Sequence, residues 1–395
     1  MKKIISLIAA VLIVLAAVSI TVVVENKKNA DLEAKYASDI EAGRAEIDSL
    51  HSELQTVTEE RRADMEIMRD LFRQVDYRDE PVYVIGHKSP DLDTTASAIG
   101  MAYLLNELGI AAEARLAEPL NLESEYALSA IGYPVPEILE NAADKQLWLV
   151  DHSDPLQMVD GAEKARIVGI TDHHGIGGAE TSEPINALVC PTGSASALVF
   201  WLCTKCDVEI PQDVAGVLLT GMLSDTSNMK SNGVTALDED AFARLKKISG
   251  ISDTDALFNG MLEAKLSYKG MDEREIFYSD YKEYETDGLL YGIGNIKVAR
   301  ADQVADMSER MLCVIESEAK NSDMDFLLFE VYDSDHSLGY IGFSGNDMEF
   351  TGKVMDTAFS GSGEKKGEFY AFSPSLSRKT DVVPPIDSCL NALLP

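Results

Sequence analysis

The stretch Val82-Tyr83-Val84-Ile85-Gly86-His87-Lys88-Ser89-Pro90-Asp91-Leu92-Asp93 decides the fold. Four apolar residues make a short buried strand, glycine and proline end it, and the pattern over 94–108 turns helical. The arrangement recurs twice: the run 146–150 is followed by Asp151-His152, and the run 166–170 by Thr171-Asp172-His173-His174. A further helix is predicted over 211–223, with Asp225 just beyond it in Leu223-Ser224-Asp225-Thr226. Strands alternating with helices predict an α/β fold with a mostly parallel sheet covered on both faces, whose ligands gather beyond the carboxyl ends of the strands. The polar residues quoted stand at those ends.

Upstream the texture is different. Residues 29–77 contain no proline and are rich in Glu, Ala, Arg, Asp and Leu, which predicts one long exposed helix. Ile40, Ile47, Leu54, Met68 and Val75 form one line of a seven-residue repeat, and Tyr36, Leu50, Val57 and Leu71 a second. That is coiled-coil spacing, so residues 29–78 are predicted as a stalk of roughly 75 Å that pairs with a second copy. A single helix lying on the following domain is the alternative. Before it, Met1-Lys2-Lys3 leads into the uncharged run 4–24, long enough for the about 20 residues that cross a bilayer. Residues 1–28 are therefore predicted as a single-pass transmembrane anchor, with a cleaved export signal as alternative. The Lys-Lys start suggests that the bulk of the chain lies outside the cytoplasm.

The whole chain has 395 residues, 34 Lys and Arg against 67 Asp and Glu, and 46% apolar residues. This is a globular composition with room for about two domains and an appendage. A net charge of −33 disfavours nucleic acid as a partner and demands local cations or metals for any polyanionic substrate. Five cysteines are too few for a disulfide framework, and Cys203-Thr204-Lys205-Cys206 has no second pair, so it reads as a buried thiol pair. Tyr291-Gly292-Ile293-Gly294 reads as a strand with a close backbone contact.

Of six histidines, His87, His152, His173 and His174 stand near strand ends and close to aspartates. Imidazole with carboxylate suits manganese, iron, cobalt or zinc. Two neutral imidazoles, His87 and His173, with ionised Asp91, Asp93, Asp151 and Asp225 give a charge that balances two divalent cations. A water bridging such a pair would be acidified to a nucleophilic hydroxide.

The order His-x3-Asp-x-Asp, Val-Asp-His, Asp-His-His and Ser-Asp-Thr resembles the DHH phosphoesterase superfamily. The tail Ser377-Arg378-Lys379-Thr380-Asp381-Val382-Val383-Pro384-Pro385 resembles the Ser-Arg-Lys signature of the DHHA2 domain in family II, manganese-dependent inorganic pyrophosphatases. The glycine-rich DHHA1 motif of relatives that cleave cyclic dinucleotides or oligonucleotides is not found. The resemblance runs over 82–386 and implies a DHH metal-binding domain at 80–264, a smaller α/β DHHA2 domain at 270–395, and an active site between them. It implies one metal on His87, Asp91 and Asp151 and another on Asp93, Asp151, His173 and Asp225, with Asp151 bridging. The metals would be two manganese ions, or cobalt, with magnesium arriving on the substrate.

His174, Lys282, Arg378 and Lys379 would bind pyrophosphate, and with Asp151 form the catalytic set. The implied reaction is in-line attack of the bridging hydroxide on one phosphorus, with closure about a hinge near 264–270. Two departures from the family pattern lie near the expected site: Gly175-Ile176-Gly177-Gly178 supplies no basic residue after Asp-His-His, and Asn228-Met229-Lys230-Ser231-Asn232-Gly233 replaces the usual Lys-Ser-Pro-Thr. They leave two alternatives open: hydrolysis of short polyphosphate or another phosphoanhydride or phosphodiester, and a catalytically weak membrane-anchored sensor.

Overall fold

The computed structural model describes residues 30–359 and 361–393, together with Val11, Leu12 and Leu15. The expected anchor at 1–28 lies almost wholly outside the described residues. Among these, no helix is long and apolar enough to cross a membrane.

Helix α1 (Ala30–Arg73) is a single 44-residue rod. Along it Leu54, Val57, Ile67 and Leu71 are half or more exposed. Its end is docked: Arg69 Nε donates to the carbonyl of Cys206 at 2.6 Å, Asn186 donates to that of Leu71 at 3.2 Å, and the buried Phe72 ring stacks on Trp148 at 5.6 Å. The expected seven-residue line overshoots here. Val75 lies past the last helical residue and packs against the core of the first domain.

The first domain holds a parallel sheet in the order β2-β1-β3-β4-β5, formed by β1 (Val82–Ile85), β2 (Ala112–Arg115), β3 (Gln146–Val150), β4 (Arg166–Asp172) and β5 (Asn186–Val189). Every residue of β3 is buried, which is why it reads as a continuous apolar run. Helix α2 (Leu92–Glu107) follows β1, and α3 (Leu122–Ile131) follows β2. Beyond β5 come α4 (Ala195–Lys205), α5 (Gln212–Asp225), α6 (Ala236–Ser249) and α7 (Thr254–Lys265). The chain runs outward from β1 to β2 and then returns to β3 on the other side. The switch point therefore lies between β1 and β3, where a crevice opens at the carboxyl ends.

The second domain is a mixed sheet in the order β10-β11-β9-β8-β7-β6, formed by β6 (Tyr281–Thr286), β7 (Leu289–Val298), β8 (Phe326–Asp333), β9 (Gly339–Gly345), β10 (Glu364–Lys366) and β11 (Phe369–Phe372). Helix α8 (Glu273–Tyr278) leads into it, α9 (Val304–Glu318) covers one face, and α10 (Met348–Phe359) and α11 (Val383–Leu393) cover the other. Gly292 lies inside β7, where a Cβ would sit 2.0 Å from the Tyr281 hydroxyl. This is the close contact that the glycine pattern predicts. Cys203 is buried in α4 and Cys206 caps it; both are free thiols, and burial pushes Cys206 up to about 11.

Candidate active site

Local sequence places each polar residue at the switch point. Gly86 ends β1 without a side chain because a Cβ there would meet Thr94 Cγ2 at 2.1 Å. Asp91 caps α2, accepting the Thr94 amide at 2.9 Å through Oδ1. Its Oδ2 is left 3.6 Å from His87 Nε2. Asp93, fully buried in the first turn, accepts the amides of Ala195 at 2.6 Å and Ser196 at 3.0 Å, so its carboxylate sits on the positive end of α4. Asp151 follows β3 with φ at 62°, left-handed backbone that costs a non-glycine residue about 1 to 3 kcal/mol and persists where the surroundings enforce it.

Asp151 is the centre of the cluster. Its Oδ2 lies 3.6 Å from His87 Nε2 and its Oδ1 3.1 Å from His173 Nε2. His173 Nε2 is also 3.4 Å from Asp225 Oδ2, at the end of α5. Both rings are aimed by their other nitrogen: His87 Nδ1 pairs with the Lys88 carbonyl at 2.7 Å and His173 Nδ1 with that of Thr192 at 2.9 Å. Nδ1–H donation to a carbonyl leaves Nε2 as the ligating atom.

The charges at the cluster are strongly perturbed. Burial opposes charge on His87 and His173, yet the close carboxylates of Asp151, Asp91 and Asp225 outweigh it, raising His87 to about 11 and His173 to about 12. Burial alone would raise Asp151, but the same two imidazoles hold it below the usual carboxylate range. Asp93 is pushed well up by burial and by the charges of Asp225 and Asp151, and burial raises Asp225. These shifts describe carboxylates crowded together that need positive charge. Asp151 Oδ1 and His173 Nε2 are buried without a hydrogen-bond partner. The ligand atoms of His87, Asp91 and Asp151, and those of Asp93, Asp151, His173 and Asp225, each lie within 4.8 Å of one another. Orphaned polar atoms, mixed imidazole and carboxylate donors, and a shared Asp151 fit divalent transition metals such as manganese.

All six residues expected as ligands are brought together, and His174 stands beside them. Its side chain is more than half exposed, with Nδ1 3.1 Å from Asp172 Oδ1 and 3.6 Å from Asp151 Oδ1. The hydrogen bond to Asp172 raises its pKa. His152 turns away: its Nδ1 pairs with the Val150 carbonyl at 2.9 Å, and it joins none of the ligand groups.

Three supporting residues escaped the sequence reading. Thr94 donates to Asp151 Oδ2 at 2.7 Å. Asp172 holds both the amide and the ring of His174. Asp238 accepts the Gly193 amide at 2.8 Å and so fixes the Thr192 carbonyl that aims His173. Asp172 could have been found from its place beside the histidines; Thr94 and Asp238 leave no sequence signal, because their role depends on distant partners.

The expected cations form a separate group in the second domain. Lys282, Arg378 and Lys379 line a cavity of about 700 Å³ with Tyr284, Asn295, Tyr332 and His336. Arg378 is largely enclosed, donating to the carbonyl and to Oδ1 of Asp280, both at 2.7 Å. Among the described residues no hydrogen bond or ion pair joins these cations to the aspartate cluster. The residues expected in one site thus lie in two groups, one in each domain. Beneath Arg378 lies Glu330, 1% exposed, with neither carboxyl oxygen hydrogen-bonded and burial pushing it up to about 8.

The sequence matches the DHH family, N-terminal domain, over residues 81–222 and the DHHA2 domain over 259–389. A relative from Archaeoglobus fulgidus, named probable manganese-dependent inorganic pyrophosphatase, is 34% identical over 332 residues, covering 79% of this chain and 99% of the relative. The manganese-dependent inorganic pyrophosphatase of Methanocaldococcus jannaschii is 33% identical, covering 78% of this chain and 99% of its own. A crystal structure of a Methanococcus jannaschii chain assigned to family II inorganic pyrophosphatase is 32% identical, with a TM-score of 0.49 over 78% of this chain and 99% of that one.

Proposed function

The chain belongs to the DHH family with a DHHA2 domain, the family of the manganese-dependent inorganic pyrophosphatases, and we propose that it hydrolyses pyrophosphate to two phosphates in a manganese-dependent reaction. The observation that carries this is Asp151, one oxygen toward His87 and the other toward His173. His87, Asp91 and Asp151 would hold one ion, and Asp93, Asp151, His173 and Asp225 a second. Two manganese ions, with cobalt as a substitute and magnesium on the substrate, would supply Lewis acidity and acidify a water for attack.

The residues of the chain do the positioning. Nδ1–H of His174 donates to Asp172, which raises the pKa of the ring and favours the imidazolium, whose Nε2–H can donate to a phosphoryl oxygen. Lys282 and Lys379 offer point charges, and Arg378 a planar fork, to the leaving phosphate. Because cations and cluster lie in different domains, closing one on the other assembles the site and excludes water only around bound substrate. In a chain of net charge −33, such local cations are what admit a polyanion. Phosphate release from pyrophosphate, with manganese and after chelation, tests the reading. No release with manganese present would sink it. Tripolyphosphate in the same assay tests the second reading, a longer substrate, which the roomy cation cavity and the unusual loop after Asp225 favour.

The uncharged run 4–24 supports a membrane anchor, and the exposed Leu54, Val57 and Leu71 support pairing of α1 with a second copy. Disulfide crosslinking of full-length chain carrying Ile47→Cys tests the pairing; failure to crosslink at any concentration leaves α1 a single helix.

A further inference from the structure

Helix α7 closes the first domain and is tied to both halves of the molecule. At its first turn Asp255 accepts from Asn228 at 2.6 Å. Asn228 belongs to the left-handed run Ser227, Asn228 and Met229, which Thr226 separates from Asp225. At its last turn Lys265 Nζ lies 2.8 Å from Glu123 Oε2. Glu123 is only 3% exposed, and its other oxygen accepts from Ser224 Oγ at 2.8 Å, the neighbour of Asp225.

Past α7 the chain is held by the second domain. Tyr268 Oη donates to the Lys297 carbonyl at 2.9 Å and accepts its amide at 3.2 Å, while across the joint Arg300 forms an exposed ion pair with Glu263 of α7 itself. The joint between the domains is thereby narrowed to Leu266–Ser267, with Lys265 anchored on one side and Tyr268 on the other.

We propose that Glu123 and Lys265 are a positioning pair that transmits the placement of Asp225 to this joint, so that filling the aspartate cluster sets how the second domain's cations approach. The chain of contacts is continuous: Asp225 to its neighbour Ser224, to Glu123, to Lys265, to the joint. A buried carboxylate whose counter-charge comes from α7 fixes where that helix ends, since the two must stay together. The inference rests on the pyrophosphatase reading for its purpose, but its test does not.

Hydrogen–deuterium exchange of amides 262–270 in the full chain, with and without manganese alone, reads the coupling directly. In the wild type manganese should slow exchange there by about fivefold or more. Lys265→Met and Glu123→Gln should lose that response while binding manganese normally, and their KM for pyrophosphate should rise about fivefold with kcat changed less. Lys265→Arg should restore both. Ser224→Ala breaks the path without stranding a buried charge, so it folds even if the other variants do not, and it too should blunt the response. A wild-type response in Ser224→Ala or Lys265→Met overturns the proposal, as does a wild type that hydrolyses pyrophosphate yet shows no response at 262–270. Absence of hydrolysis in the wild type instead overturns the pyrophosphatase reading and leaves the exchange result to be judged by itself.

Discussion

Thr94 Oγ1 donates a 2.7 Å hydrogen bond to Asp151 Oδ2, the carboxylate that faces both imidazoles. Thr94 sits in the first turn of the helix after β1 and Asp151 at the end of β3, so the bond fastens two strands across the switch point. Partners of this kind, which orient a ligand without touching the metal, are worth about 10- to 100-fold in affinity. Thr94→Val should therefore weaken manganese binding by roughly that factor while leaving the circular dichroism spectrum unchanged. Competition with a fluorescent chelator measures it; unaltered affinity would show Asp151 to be held by its backbone alone.

Asp151→Asn removes the charge that both halves of the cluster share, with nearly no change in volume. Hydrolysis should fall to background with the fold intact but the metal-free melting temperature lowered, because the depressed pKa of Asp151 means that its charge stabilises the fold through His87 and His173. Wild-type turnover in this variant would end its role as the shared ligand.

Arg378 is predicted to act on the substrate. Its fork is held by Asp280 through both a carbonyl and a carboxylate, which presets its plane. Losing a charged donor aimed at the transition state typically costs about 100- to 1000-fold in turnover. Arg378→Ala should lose activity on that scale with manganese affinity intact, and Arg378→Lys should recover little of it, since a single ammonium cannot both hold Asp280 and reach the substrate as the guanidinium can. Steady-state kinetics beside manganese titration distinguishes this from damage to the cluster.

Glu330 carries a pH signature of its own. Burial raises its carboxyl from 4.5 to about 8 in the folded chain. The folded state thus holds the proton more tightly than the unfolded one, so this contribution to stability is fully present below pH 4.5 and is lost as pH rises toward 8. Glu330→Gln should abolish the loss, gaining on the order of a few kcal/mol over the wild type at pH 9 and little at pH 5. Thermal melts at the two pH values check the sign. An equal shift at both would mean that the acid ionises freely.

The sequence carried the first domain well because its signals are local: β3 is buried along its whole length, and His87, Asp91 and Asp93 lie within one strand-to-helix turn. Edge strand β2 was illegible, since Ala112-Glu113-Ala114-Arg115 alternates charge with small residues and looks like a loop. The place of Asp151 in both groups of prospective ligands came through family resemblance, as spacing alone cannot tell a ligand from a surface aspartate. Asp238 and Glu123 were invisible because each acts on a partner far along the chain. The placing of the cations on a second domain came through the same resemblance, while no motif fixes how far the joint holds them from the cluster.

The stack of Phe72 on Trp148, three residues from Asp151 along the chain, makes the final turns of the long helix part of the first domain's interior. Proteolytic trimming from the amino terminus thus has a natural stopping point. Fragments beginning near Met65 should stay soluble and retain the wedge, whereas cutting after Arg73 uncovers the indole and leaves a sticky, slowly aggregating product.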